Sequence, residues 1–77
     1  MSAPLTMWTI YDHPVDWPDW YVAREFTISG GPDDPVASDS VLLHRHLEPI
    51  RDFLRRKGLV CLMRNPEDHP NVVETWL

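Results

Sequence analysis

Apolar and polar positions alternate over Leu5–Tyr11, where Trp8 and Ile10 stand against Thr9 and Tyr11. Trp, Ile, Tyr and Thr suit a pleated, half-buried surface, so this stretch predicts a strand. Asp12-His13-Pro14 ends it, because proline cannot donate to a ladder and restricts the residue before it. Pro14-Val15-Asp16-Trp17-Pro18-Asp19 then reads as a turn-rich loop. Alternation resumes over Trp20–Ile28, with Val22, Phe26 and Ile28 on one face and Ala23, Glu25 and Thr27 on the other. Arg24 intrudes on the apolar side. Two such runs across a short polar link predict an antiparallel pair.

Ser29-Gly30-Gly31-Pro32-Asp33-Asp34-Pro35 marks an exposed loop. Val36–Ser40 either continues it or begins a short strand reaching Val41–His44. A helix running from Ser38 or Asp39 would carry Pro49 in its interior, at a cost of about 3 kcal/mol. In a first turn Pro49 is acceptable, since its missing N–H would have had no partner there. The helix is therefore placed at about residues 47–57. Leu47, Ile50, Phe53 and Leu54 share one face, and Gly58 suits the stop. Leu59–Arg64 and Asn71–Leu77 predict two further strands. The unbroken apolar run Leu59–Met63 predicts an interior strand covered on both faces. The fold class expected is α+β, a small, mostly antiparallel sheet of four to five strands with one helix packed on a face.

Seventy-seven residues predict a single domain spanning 1–77 with a thin core, burying roughly 60–65% of its unfolded surface. The content, 43% hydrophobic and 25% charged, is that of a globular chain. The one cysteine, Cys61, excludes an internal disulfide framework and a cysteine-built zinc site. No apolar run approaches the ~18 residues of a membrane span, and Met1–Ala3 begins no signal peptide, so a cytoplasmic location is expected. The net charge of −5 opposes general binding to a phosphate backbone. That charge is unevenly placed. Residues 1–40 carry seven acids (Asp12, Asp16, Asp19, Glu25, Asp33, Asp34 and Asp39) and one base, Arg24; residues 41–77 carry five acids and six bases.

With these elements placed, the chain resembles a group of small bacterial and phage-associated proteins. The likeness rests on Met7-Trp8-Thr9-Ile10-Tyr11-Asp12-His13-Pro14, Trp17-Pro18-Asp19, Tyr21-Val22-Ala23-Arg24, Leu47-Glu48-Pro49-Ile50-Arg51, Gly58-Leu59, Arg64 and Val73-Glu74-Thr75-Trp76-Leu77. It spans most of the chain outside Gly30–Ser40 and implies the strand and helix placement. It implies no catalytic residue.

Candidate chemistry is sparse. His44 and His46 share a face if extended and suggest a metal pair, completed by His13, His69 or an aspartate, but no third ligand is fixed by spacing. Surface histidines beside a helix start are the simpler account. Cys61 lies among Val60, Leu62 and Met63, which predicts a buried, inert thiol with a raised pKa. Asp16 with Asp19, or Asp33 with Asp34, makes a carboxylate pair without the cleft that glycosidase chemistry needs. No glycine-rich phosphate loop, nucleophile elbow or H-E-x-x-H occurs. No enzyme, metal or cofactor is expected. Arg45, Arg51, Arg55, Arg56, Lys57 and Arg64 form a basic cluster, but helix-dipole logic already accounts for its middle, and direct nucleic-acid binding is not expected.

The aromatic residues carry the interaction signal. Four tryptophans include Trp8 and Trp76, expected in the core, and Trp17 and Trp20, which bracket Pro18-Asp19 in a loop. Tryptophan buries a large area with few rotors to freeze. The expected function is a small, acidic, non-catalytic protein-binding module, a phage-type inhibitor of a host system. Anti-CRISPR proteins, which block nucleic-acid-binding machines, are the class analogy. Its contact residues would be Asp16, Trp17, Asp19, Trp20, Asp33 and Asp34, and its partner a protein with a basic, nucleic-acid-binding surface. The alternative is a bacterial accessory or toxin–antitoxin-type protein acting as a homo-oligomer. A homodimer is expected in either case, with the terminal strand Val72–Leu77 or an aromatic patch as its contact.

Overall fold

A computed structural model describes residues 5–62 and 71–77. Five strands, β1 (Leu5–Asp12), β2 (Tyr21–Ile28), β3 (Val36–His44), β4 (Cys61–Leu62) and β5 (Val72–Trp76), form one antiparallel sheet in the order β3-β2-β1-β5-β4. The one helix among the described residues, α1 (Leu47–Arg56), packs on one face, giving a small α+β fold.

The core lies between helix and sheet. Ile50 and Leu54 of α1 are fully buried against Trp8 and Ile10 of β1, Ala23 of β2 and Trp76 of β5. Ile50 and Leu54 are four residues apart and so lie one above the other on the helix. Trp8 and Trp76 face each other across β1 and β5, and Trp8 also meets the Phe53 ring edge-on at 5.9 Å. The Trp8 Nε1 is buried without a hydrogen-bond partner among the described residues, so this ring serves here as apolar volume. Alternation along β2 gives the helix the Ala23 face. Val22, Arg24 and Phe26, the face that looks more apolar in sequence, point away from α1.

The ends of α1 follow from its residues. Glu48 sits in the first turn and Arg55 and Arg56 in the last, each complementing the helix dipole. Pro49 lies in the first turn, where no intrahelical bond is lost. At the other end Gly58, at φ +82°, donates to Arg55 O at 2.9 Å, and Leu59 donates to Leu54 O at 3.2 Å. This is a Schellman stop, and Leu59 tucks against the core as that motif favours. Gly58→Ala should lower stability by about 1 kcal/mol from backbone strain alone, because a Cβ there meets open space. Denaturant melts of the two proteins would measure it.

The apolar run after Gly58 does not form an interior strand. Leu59 is spent on the helix stop, and among the described residues Cys61–Leu62 pairs only with Trp76 and Thr75, at the sheet's edge. Val60 and Leu77 extend that contact through two backbone bonds of 3.1 and 3.0 Å. Val60, Cys61 and Leu62 are exposed, so Cys61 is not the buried thiol its neighbours suggest. Its pKa is nonetheless raised, first by partial desolvation and then by the nearby Glu74 carboxylate. The interior place belongs to β5, which lies between β1 and β4. On the side away from β1, β4 and Val60 cover Thr75–Leu77 of this strand. Met63 and Arg64, assigned to the same strand from sequence, and His69 lie outside the described residues.

Two irregularities shape the sheet. Ile10 pairs with Glu74 but Tyr11 with Val72, leaving Val73 as an extra residue in β5. Arg24 pairs with Val41 and Phe26 with Ala37, so Ser38–Ser40 bulges opposite Glu25. Ser38 holds that bulge: its hydroxyl donates to Glu25 Oε1 at 2.9 Å and accepts from the Ser40 N–H at 3.2 Å. A bulge here bends β3 and blunts the long free edge it would otherwise offer.

Candidate functional site

The β1–β2 loop is built from two successive turns. Trp17 N–H donates to Pro14 O at 2.9 Å, and Trp20 N–H donates to Trp17 O at 3.2 Å. Pro18 occupies the second position of the second turn, where its fixed φ is pre-set. His13 N–H closes the loop onto Trp20 O at 3.1 Å, with His13 itself at φ 47°. His13 also contacts the Asp12 carboxylate and meets the Tyr21 ring edge-on at 4.9 Å. The turns place Asp16 and Asp19 at equivalent positions, each followed by a tryptophan. This Asp-Trp-Pro-Asp-Trp repeat gives both carboxylates to solvent.

The two loop tryptophans differ. Trp17 is 38% exposed. Trp20 is half-buried, and the Arg45 guanidinium lies 5.2 Å from its ring centroid. A cation over the ring of tryptophan is attracted by its quadrupole, so Arg45 ties the β3–α1 connection to the β1–β2 loop. Neither Asp16 nor Asp19 forms an ion pair among the described residues.

Asp33 and Asp34 do not join this group. They lie in the β2–β3 loop, at the opposite end of strand β2, which at 8 residues is about 25 Å long. Asp34 is occupied within its own loop, where its carboxylate accepts from the Ser29 N–H at 3.0 Å, from the Gly30 N–H and from the Ser29 hydroxyl. Those bonds, led by the Ser29 N–H, hold its pKa below the ordinary aspartate value. Asp34 thus shapes the turn, while Asp33 is exposed at its tip.

On the sheet face away from α1, a cleft of about 260 Å³ is lined by Tyr11, Pro14, Asp16, Val22, Arg24 and Phe26. Val22 is buried and forms its floor, while Tyr11, Arg24 and Phe26 are half-buried. Pro14 and Asp16 bring the β1–β2 loop to its rim. Sequence reasoning singled out Asp16 but missed Tyr11, Arg24 and Phe26 as a group. The available signal was Arg24 itself, a cation alternating with Val22 and Phe26.

The basic residues of α1 are mostly engaged within the protein. Arg51 donates through Nε to Glu74 Oε1 at 2.8 Å and through Nη1 to Glu48 at 2.6 Å; Arg55 donates to Asp52 at 2.9 Å. Arg55 also lies 5.8 Å from the Trp76 ring, and Lys57 lies over Phe53 and Trp8. A second groove of about 360 Å³, between β3 and α1, is lined by Leu42, His44, Pro49, Ile50, Asp52, Phe53 and Arg56.

Among the described residues no three His, Cys, Asp or Glu side chains gather into a metal-sized group. The rings of His44 and His46 are 5.8 Å apart, and His44 Nδ1 accepts the His46 N–H at 3.0 Å, which commits that nitrogen to the turn before α1. Among the described residues no helix is long and apolar enough to cross a membrane. Compared with protein-family models, curated proteins and solved structures, the chain matches none.

Proposed function

We propose that this chain is a small, non-catalytic protein-binding module whose contact surface is the β1–β2 loop. The supporting observation is Trp17, held out by two consecutive turns between two exposed carboxylates that have no cation partner among the described residues. An exposed tryptophan supplies the area an interface needs at its centre, and flanking carboxylates speed encounter with a basic surface. The partner chemistry this favours is a Lys/Arg-lined groove of the kind that ordinarily holds nucleic acid. A phage-type inhibitor of the anti-CRISPR kind, acting in the cytoplasm, is the class of protein that would use such a surface. Asp33 contributes only to a partner large enough to reach both ends of the sheet.

Charge reversal at both Asp16 and Asp19 should weaken capture of the partner at least tenfold and flatten its salt dependence, with the fold intact. Reversal of Arg55 and Arg56 should do much less. Pull-down from a bacterial lysate, followed by titration of the recovered partner against each variant at two salt concentrations, tests this. An essential arginine pair with dispensable aspartates would move the functional surface to the helix side.

The alternative, a homo-oligomeric accessory protein, is favoured by the β4 edge, where Val60 is 64% and Leu62 43% exposed. A homodimer would extend the sheet there. Light scattering across micromolar concentrations decides it, and a constant mass near 9.0 kDa would remove the dimer.

A further inference from the structure

Arg24 is placed unlike the other described arginines. Arg51 and Arg55 rest beside carboxylates, Arg45 lies over Trp20, and Arg56 is exposed on the helix. Arg24 is half-buried on the sheet face, in the row Thr9–Arg24–Val41, and among the described residues no acid, hydrogen-bond acceptor or ring is its partner. A guanidinium offers five donors in a planar fork that matches a carboxylate bidentately, and leaving it partly desolvated and unpaired is unfavourable. Its surroundings restrict what would pair with it. Tyr11, Val22, Phe26 and Pro14 supply apolar walls and floor, and Asp16 stands on the rim without reaching Arg24.

We propose that this cleft binds an apolar residue bearing a free α-carboxylate and a neighbouring positive charge. The carboxylate pairs with Arg24, the apolar side chain lies against Tyr11, Val22 and Phe26, and the cation faces Asp16. At about 260 Å³ the space is smaller than sites that enclose drug-sized ligands, which suits a single residue. Asp16 disfavours phosphates and dicarboxylates, whose second negative charge would face it. Two sources share the required chemistry: a free amino acid, whose own ammonium supplies the cation, and the C-terminus of a chain with a basic residue just before its last one. This inference rests on the cleft alone and stands or falls apart from the reading of the loop as a surface for a basic partner.

The test uses the whole protein with L-phenylalanine, phenylalaninamide, and the peptide lysyl-lysyl-phenylalanine as free acid and as amide. Binding is read by amide shifts of Tyr11, Val22 and Phe26 in nitrogen–proton correlation spectra. Both free acids, or one of them, should saturate these shifts with a Kd on the order of 1 mM or tighter, and the amides should bind at least tenfold more weakly. Saturation by the amino acid alone assigns the site to a metabolite; saturation by the peptide acid alone assigns it to a chain terminus. Arg24→Gln, which breaks no ion pair or hydrogen bond among the described residues, should abolish binding while leaving the spectrum folded, and Asp16→Asn should weaken it several-fold. The proposal is overturned if neither acid shifts these residues, if acid and amide bind alike, or if Arg24→Gln binds as the wild type does.

Discussion

Leu54→Ala should lower the unfolding free energy by about 3 kcal/mol and move the unfolding transition to lower urea. Leu54 is fully buried, and it does two things at once. Its side chain fills the space between α1 and the two tryptophans of β1 and β5, and its carbonyl accepts the Leu59 N–H that stops the helix. The substitution removes only the first, so the loss measures packing. Rigid rings on the sheet side cannot collapse into the void, which places the cost above the low end of the leucine-to-alanine range. A chain of this length holds on the order of 4–12 kcal/mol in total, so the change is a large share of it. Urea unfolding followed by tryptophan emission would give the value, and a loss under 1 kcal/mol would mean that the helix does not anchor this core.

Glu74→Leu should cost about 2–3 kcal/mol near neutral pH and flatten the acid limb of the stability curve. Glu74 is buried in β5 and accepts from Arg51 Nε at 2.8 Å, from Arg51 Nη2 at 3.1 Å and from the Trp76 indole N–H at 3.0 Å. Burial alone would raise its pKa; the Arg51 and Trp76 hydrogen bonds outweigh burial and hold the carboxyl below its ordinary value. A group whose pKa is lower in the folded state binds its proton more readily when unfolded. Its contribution is therefore fully present above the unfolded glutamate pKa, about 4.3, and is lost as pH falls through the lower folded value. The wild type should lose stability in that window more steeply than the variant does. Parallel acid titrations, corrected for the background of the surface carboxylates, would show the difference; superimposable curves would remove Glu74 as a source of acid lability.

The elements that sequence places well are those whose ends carry chemistry. α1 is framed by Pro49 and Gly58 and by the Ile50–Leu54 spacing, and the structure ends it within a residue of the expected stop. β1 and β2 follow from alternation, β5 falls within the strand expected over Asn71–Leu77, and the bulged β3 settles a stretch that sequence leaves open between loop and strand. Position within the sheet is another matter. Leu59–Met63 has the pattern of an interior strand, yet an apolar run does not state whether its residues face a core, close a helix or lie on an edge. Here Leu59 does the second and Cys61–Leu62 the third. The candidate site divides in the same way. Loop composition identifies Asp16, Trp17 and Asp19, and consecutive turns do group them with Trp20. Asp33 and Asp34 look equivalent in composition, but a strand's length separates them, and Asp34 is drawn inward by the Ser29 and Gly30 amides. The Arg24 cleft needs the loop to return over the sheet, which no local pattern encodes.

The central place of β5 also dictates when this sheet can close. β1 has β2 beside it after a short loop, but its other neighbour lies far along the chain, and Trp8 meets Trp76 across a separation of 68 residues. During synthesis, at roughly 5–20 residues per second, β1–β3 and then α1 leave the ribosome seconds before β5 does. Throughout that interval one edge of β1 is open and Trp8 and Ile10 lack half of their cover. Pairing over such a separation is slow once begun, because the entropy of closing the loop is lost before any contact compensates it. Of the sheet, only the three-stranded meander β1–β3 can form without β5, and in it Trp8 has no partner on that side. A chaperone or a second nascent copy that adds to sheet edges would meet that side of β1 only before β5 is in place.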